Sequence, residues 1–281
     1  MNKLFSVLLF AMTLGGCGAA SSISARHETA TKIASSAGMS ERILQAGIFN
    51  LTGWERVQQP NAPVDLYIEG DGLAWLDKHT KSMNPTPPDP LALRLAAADK
   101  RDNVFYLARP CQYTGLRGEG SCSDIYWTTG MAAAEVVSAY QQALDDIKAR
   151  YHVTGFNLVG YSGGAAIAVL VAAGRTDILS IRTVAGNTDY AAFTALHEVS
   201  SISGSIDPAS VAAKVAQIPQ MHFIGGEDTV VPQAVFDGWK QASGTSTCVH
   251  SNIITAADHE KGWAEVWPDL LNIPVSCTSA P

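Results

Sequence analysis

Gly160-Tyr161-Ser162-Gly163-Gly164 constrains this chain more than any other stretch. It reads G-x-S-x-G and joins two apolar runs. Gly155-Phe156-Asn157-Leu158-Val159 before it predicts a buried strand, and the small apolar run Ala165–Ala173, ending on Gly174, predicts a buried helix. A strand that turns sharply into a helix needs glycine on both sides of the turn, because a Cβ there would strike neighbouring backbone. Such a turn lifts its central serine to the sheet edge at a helix N-terminus, where free N–H groups favour negative charge.

Two further features follow in order. Met221–Ile224 is a short apolar run that meets Gly225-Gly226-Glu227-Asp228-Thr229-Val230-Val231-Pro232. Ile253-Ile254-Thr255 is strand-like and precedes Asp258-His259. Serine, then acid, then histidine is the chain order of one class of serine hydrolases. On these three blocks the chain resembles the α/β-hydrolase superfamily, and it is similar to uncharacterised bacterial lipoproteins of that superfamily. The resemblance spans roughly residues 64 to 270 and implies a mostly parallel central sheet with helices on both faces. The alternation of apolar strands and helical patterns points to the same α/β class.

The resemblance implies a catalytic triad of Ser162, Asp228 and His259 for nucleophilic acyl transfer. Histidine takes the serine proton and returns it to the leaving group, and the acid fixes the imidazole tautomer. Asp228 is preferred over Glu227 because it directly precedes the Thr-Val-Val-Pro exit. Of the seven histidines, His259 alone lies in a loop after the last strand-like run, whereas His222 reads as a core residue. The oxyanion donors are expected at the backbone N–H groups of Gly163 and, with Gly72 next in line, Asp71. The second donor rests on placing a strand at Val64–Ile68 followed by Glu69-Gly70-Asp71-Gly72. That block departs from the family's His-Gly-Gly-Gly-type loop in having Glu69 where histidine is usual. Glu69 itself reads as an ordinary salt-bridged acid.

The 281 residues, 47% of them hydrophobic, suit one sizeable domain. A net charge of −7 without a basic stripe argues against nucleic acid as a partner. Residues 1–16, with Lys3 and a short apolar stretch from Leu4 to Leu14, read as a signal peptide too short to span a membrane. Leu14-Gly15-Gly16-Cys17 resembles a bacterial lipoprotein signal that leaves Cys17 lipidated; an ordinary secretory signal cut near Ala20 is the alternative. The chain is therefore expected to be exported and held to a membrane by its N-terminal lipid, facing the periplasm from the outer membrane in a Gram-negative cell. Residues 17–40 are expected to be a tether and residues 41–281 the hydrolase domain. Four other cysteines allow three pairings, of which Cys111–Cys122 and Cys248–Cys277 are favoured because each closes a local loop. A bridge is worth about 2–4 kcal/mol. No C-x-x-C or H-E-x-x-H spacing suggests a metal, and no cofactor is called for.

Short helices are further expected at Leu73–His79 and Gly262–Leu271, a long one at Thr129–Arg150, and a small-residue insertion near the substrate within 187–219. Trp75, Trp127, Trp263 and Tyr161 are candidates for a pocket wall. The expected substrate is a small ester or thioester. An amide or peptide bond cut by the same triad, or a non-catalytic surface-binding protein on this fold, are the alternatives.

Overall fold

The computed structural model describes residues 22–77, 79–114 and 121–277. Eight strands form one sheet: β1 (Ser40–Ala46), β2 (Phe49–Val57), β3 (Val64–Ile68), β4 (Asn103–Leu107), β5 (Phe156–Tyr161), β6 (Ile178–Val184), β7 (Gln220–Gly225) and β8 (Val249–Ile254). Their order is β1-β2-β4-β3-β5-β6-β7-β8. β1 and β2 form an antiparallel hairpin, β2 pairs antiparallel with β4, and every other pair is parallel.

The central strands are apolar on both faces, as a sheet covered by helices requires. In β3, Leu66 and Ile68 point into one core while Tyr67 points into the other. β5 repeats the division, with Phe156 and Leu158 on one side and Val159 and Tyr161 on the other. α3 (Ala134–Tyr151) and α4 (Gly163–Ala173) cover the first face. α1 (Ile23–Ser36), α2 (Leu91–Ala98) and α8 (Trp267–Leu270) cover the second. α4 is buried nearly all round, because its run of Ala, Val, Ile and Leu has no polar face to turn outward. α5 (Tyr190–His197), α6 (Ala212–Val215) and α7 (Gln233–Ala242) follow β6 and β7.

Residues 17–40 are not simply a tether. α1 occupies most of that stretch, starting at a Ser22 N-cap. Arg26, Ala30 and Ala34 recur every four residues and are buried, so small side chains let α1 lie close to the domain. Arg26 donates to the Thr86 carbonyl across 2.8 Å. Within the stretch expected to be helical at Leu73–His79, the described residues 73–77 and 79 are not helical; Trp75 and Lys81 instead form an isolated antiparallel bridge, and Asp77 accepts the N–H groups of His79 and Thr80. Only Trp267–Leu270 of the expected helix at Gly262–Leu271 is helical. Pro268 fits its first turn, and Gly262, at φ +83°, lies in the loop before it. α3 begins at Ala134 rather than Thr129 and is preceded by a separate 3₁₀ turn at residues 124–127.

Both disulfides form as favoured, Cys111–Cys122 and Cys248–Cys277. Residues 1–16, expected to be a signal peptide, together with Cys17 and the glycine-rich stretch 115–120, lie outside the described residues. Among the described residues, no helix is long and apolar enough to cross a membrane.

Candidate active site

Ser162 sits between β5 and α4 at φ +49° and ψ −122°, a conformation costing a non-glycine residue about 1–3 kcal/mol. The surroundings hold it there. Its N–H donates to the Val184 carbonyl, and its carbonyl accepts the N–H groups of Ala165 and Asn187, all at 3.0 Å. A Cβ on Gly164 would lie 2.3 Å from the Ile68 carbonyl oxygen, and one on Gly160 would lie 2.5 Å from Ala165 Cα. The predicted demand for glycine on both sides of the turn is thus a matter of backbone meeting backbone.

Asp228 and His259 come from the loops after β7 and β8. His259 Nε2 is 3.0 Å from Ser162 Oγ, and His259 Nδ1 is 3.0 Å from Asp228 Oδ2. Three side chains separated by up to 97 positions therefore form one continuous chain of hydrogen bonds. Asp228 is 5% exposed, and its second oxygen, Oδ1, accepts the N–H groups of Val230 and Val231, each at 2.8 Å. Burial pushes its carboxyl up. The His259 hydrogen bond and charge, with the two amides, outweigh that and hold it below its ordinary value. Glu227, the neighbouring acid, is exposed. The histidine loop is itself braced: Asp258 accepts the N–H groups of Glu260 and Lys261, and the Trp263 indole donates to the Asp258 carbonyl at 2.8 Å.

The loop after β3 faces the serine from the other side. The Asp71 carboxylate lies against Gly163, its Oδ1 within 2.2 Å of where a Cβ on that glycine would stand. Arg109, 3% exposed, pairs with that carboxylate at 2.9 Å and also donates to the Met131 carbonyl. The N–H groups of Gly163 and Asp71, the expected oxyanion donors, have no hydrogen-bond acceptor among the described residues. Glu69 is not salt-bridged as expected: it is fully buried beneath the loop.

A cleft of about 730 Å³ opens over Ser162 and His259. Trp75, Leu91, Met131, Tyr161, Phe193 and Val230 give it apolar walls. Trp75 and Tyr161 were expected there. Trp127 and Trp263 are buried away from it; the Trp127 indole donates to the Ser82 carbonyl. Phe193 and Ile202, from the small-residue stretch after β6, do reach the cleft. His222 is a core residue, bonded to Thr183 and Gln220, with burial holding its imidazole down to about 3. Among the described residues, no three His, Cys, Asp or Glu side chains are placed to hold a metal ion.

Two residues of the site were missed in the sequence. Asn187 lines the cleft beside the serine, and Arg109 neutralises Asp71. The sequence signal for either is a polar residue shortly after an apolar strand: Arg109 lies just beyond β4, which ends at Leu107, and Asn187 just beyond β6, which ends at Val184.

The sequence matches no protein-family profile and no curated protein. The fold, however, has many solved counterparts. An esterase from Pyrococcus furiosus superposes with a TM-score of 0.60 at 13% identity, covering 84% of this chain and 89% of that one. An alpha-beta serine hydrolase homologue from Coxiella burnetii gives 0.54 at 16% identity, covering 82% and 93%. An acylaminoacyl peptidase from Pyrococcus horikoshii gives 0.52 at 11% identity, covering 79% of this chain and 37% of the peptidase.

Proposed function

We propose that this chain, which has the α/β-hydrolase fold, is an exported serine hydrolase that cleaves carboxylic esters or thioesters through an acyl-enzyme. The observation that carries the reading is the unbroken contact from Ser162 Oγ through His259 to Asp228. In the first step His259 Nε2 takes the Ser162 proton as Oγ attacks the carbonyl carbon. The negative oxygen of the tetrahedral intermediate is met by the N–H groups of Gly163 and Asp71, helped by the N-terminus of α4. Asp228 keeps the Nδ1 proton in place and stabilises the imidazolium. The imidazolium then protonates the leaving alcohol or thiol. Water, activated by the same histidine, releases the acid and restores the serine.

The apolar walls of the cleft fit an uncharged acyl group of small to medium size. Lipidation at Cys17 would hold the domain at a membrane and present the cleft to substrates on the exported side. Amide cleavage on the same triad is the second reading; it draws on the fold shared with a peptidase.

A fluorophosphonate probe tests the chemistry. The expected result is one adduct on Ser162, lost in Ser162→Ala and His259→Ala. Absence of labelling on well-folded protein would leave a non-catalytic binder. Turnover of p-nitrophenyl esters of graded chain length, set against aminoacyl anilides, decides the bond. Faster anilide cleavage would overturn the ester preference.

A further inference from the structure

Glu69 is a buried acid that the acyl-transfer chemistry does not use. It directly follows β3 and is 1% exposed. Its Oε1 accepts the N–H of Gly70 at 2.9 Å and that of Ala92 at 3.3 Å; its Oε2 accepts the Tyr106 hydroxyl at 3.1 Å. No lysine, arginine or histidine pairs with it among the described residues. A buried carboxylate without a cation is costly, so its amide and hydroxyl donors are what make it tolerable.

Those donors come from three places in the fold: the loop after β3, α2 and β4. Ala92 lies in the first turn of α2, whose N-cap is Pro90 and has no side-chain cap bond of its own. Glu69 therefore caps α2 from 23 residues upstream. Gly70 belongs to the loop that faces the nucleophile: a Cβ there would lie 3.0 Å from the Tyr161 ring and 3.2 Å from Ser162 Cβ. On its other side the Gly70 carbonyl accepts the Gln112 side-chain amide at 3.0 Å. Both ends of the Gly70 residue are thus fixed, and the next N–H along the chain is that of Asp71.

We propose that Glu69 is a positioning residue: by tying the Gly70 amide to the start of α2 and to Tyr106, it aims the Asp71 N–H at the oxyanion. The inference rests on the acyl-transfer reading above. Glu69 touches no reacting atom. Its side-chain oxygens must reach Gly70, Ala92 and Tyr106 together, so length and acceptor geometry matter, and charge does not. Glutamine keeps an acceptor oxygen of the same reach. Aspartate keeps the charge but falls short by one methylene.

The test compares Glu69→Asp and Glu69→Gln with the wild type on a p-nitrophenyl ester. Binding of a trifluoromethyl ketone, whose serine adduct places an oxyanion in the same position, is measured alongside, with folding followed by circular dichroism. Glu69→Asp is expected to lose about 30- to 100-fold in kcat, with KM within about threefold, and to weaken the ketone by a similar factor. Glu69→Gln is expected to stay within about threefold of wild type in kcat and ketone binding. Full activity of Glu69→Asp, a Glu69→Gln variant as damaged as Glu69→Asp, or a loss confined to KM overturns the proposal. If Glu69→Asp does not fold, Tyr106→Phe carries the test: about a fivefold loss of kcat is expected, and an unchanged kcat overturns it. A wild type that fluorophosphonate does not label sinks the acyl-transfer reading itself. A labelled wild type with insensitive variants sinks this inference alone.

Discussion

The two sides of the site are built in different ways. On the triad side, each functional residue sits within a few positions of the end of its own strand, and short-range bonds fix it. Asp228 is held by the N–H groups of Val230 and Val231, and the His259 loop by Asp258. On the oxyanion side, the loop after β3 is held by side chains far away in sequence. Glu69 draws on Ala92 and Tyr106, Asp71 on Arg109, and Gly70 on Gln112. Local construction tolerates change outside the turn. The remote construction couples the donor geometry to burial, to α2 and to the charge balance beneath the loop. The contrast teaches that the Ser162–His259–Asp228 cluster is specified by motif, while the loop that faces it is specified by packing.

The largest expected effect lies on the triad side. Ser162→Ala should lower kcat/KM by about 10⁵-fold or more without changing the folded spectrum. Asp228→Asn should cost about 10⁴-fold while thermal stability stays close to wild type, and Glu227→Gln should leave turnover unchanged. A strong effect at Glu227 with a weak one at Asp228 would break the claim that this side is built locally.

The oxyanion side should respond in stability as well as in rate. Arg109→Met leaves the Asp71 carboxylate without its cation and should cost about 3 kcal/mol in chemical denaturation, together with lost turnover. An unchanged midpoint would show that the Asp71 charge needs no partner. Removing the Cys111–Cys122 bridge, which also lies on this side of the molecule near Gln112, should cost about 2–4 kcal/mol. Activity surviving at temperatures where the variant is folded would separate the bridge from the chemistry.

The smallest effect is a slope of stability with pH. Burial raises the Glu69 carboxyl from 4.5 to about 7, with the Gly70, Ala92 and Leu93 amides and the Tyr106 hydroxyl pulling it back. An acid raised in the folded state binds its proton more tightly there than in the unfolded chain. Its contribution is complete below pH 4.5 and lost as pH rises through about 7. Glu69→Gln should therefore flatten the fall in melting temperature over that window. Parallel curves for the two proteins would mean the acid titrates normally. His222 acts in the opposite direction. Its imidazole, held down to about 3, contributes stability that is complete above its ordinary 6.5 and is lost as pH falls toward 3.

What could be read from the sequence follows the same division. Ser162, Asp228 and His259 stand in local patterns of apolar run, turn and polar residue, and the structure brings the three side chains into contact. β3, β5, β7 and the buried α4 were legible from the same local patterns, and both disulfides because each closes a local loop. α1 was not, because its buried face consists of two alanines and Arg26, in a stretch that read as a polar, small-residue tether. A short helix was expected at Leu73–His79, yet the Trp75–Lys81 bridge and the Asp77 turn take the backbone elsewhere. Glu69 read as an ordinary salt-bridged acid because nothing near it in sequence reveals Tyr106 or Ala92. Arg109 was silent because its partner lies 38 residues away.

The acyl-enzyme itself offers the most direct test of the central claim. A rapid-quench experiment with an activated ester, read by intact-protein and peptide mass, should show an acyl group on Ser162 before steady turnover is reached. The adduct should be absent in Ser162→Ala, which should also be inactive. Undiminished turnover by Ser162→Ala, or acylation of a different residue in the wild type, would contradict the account.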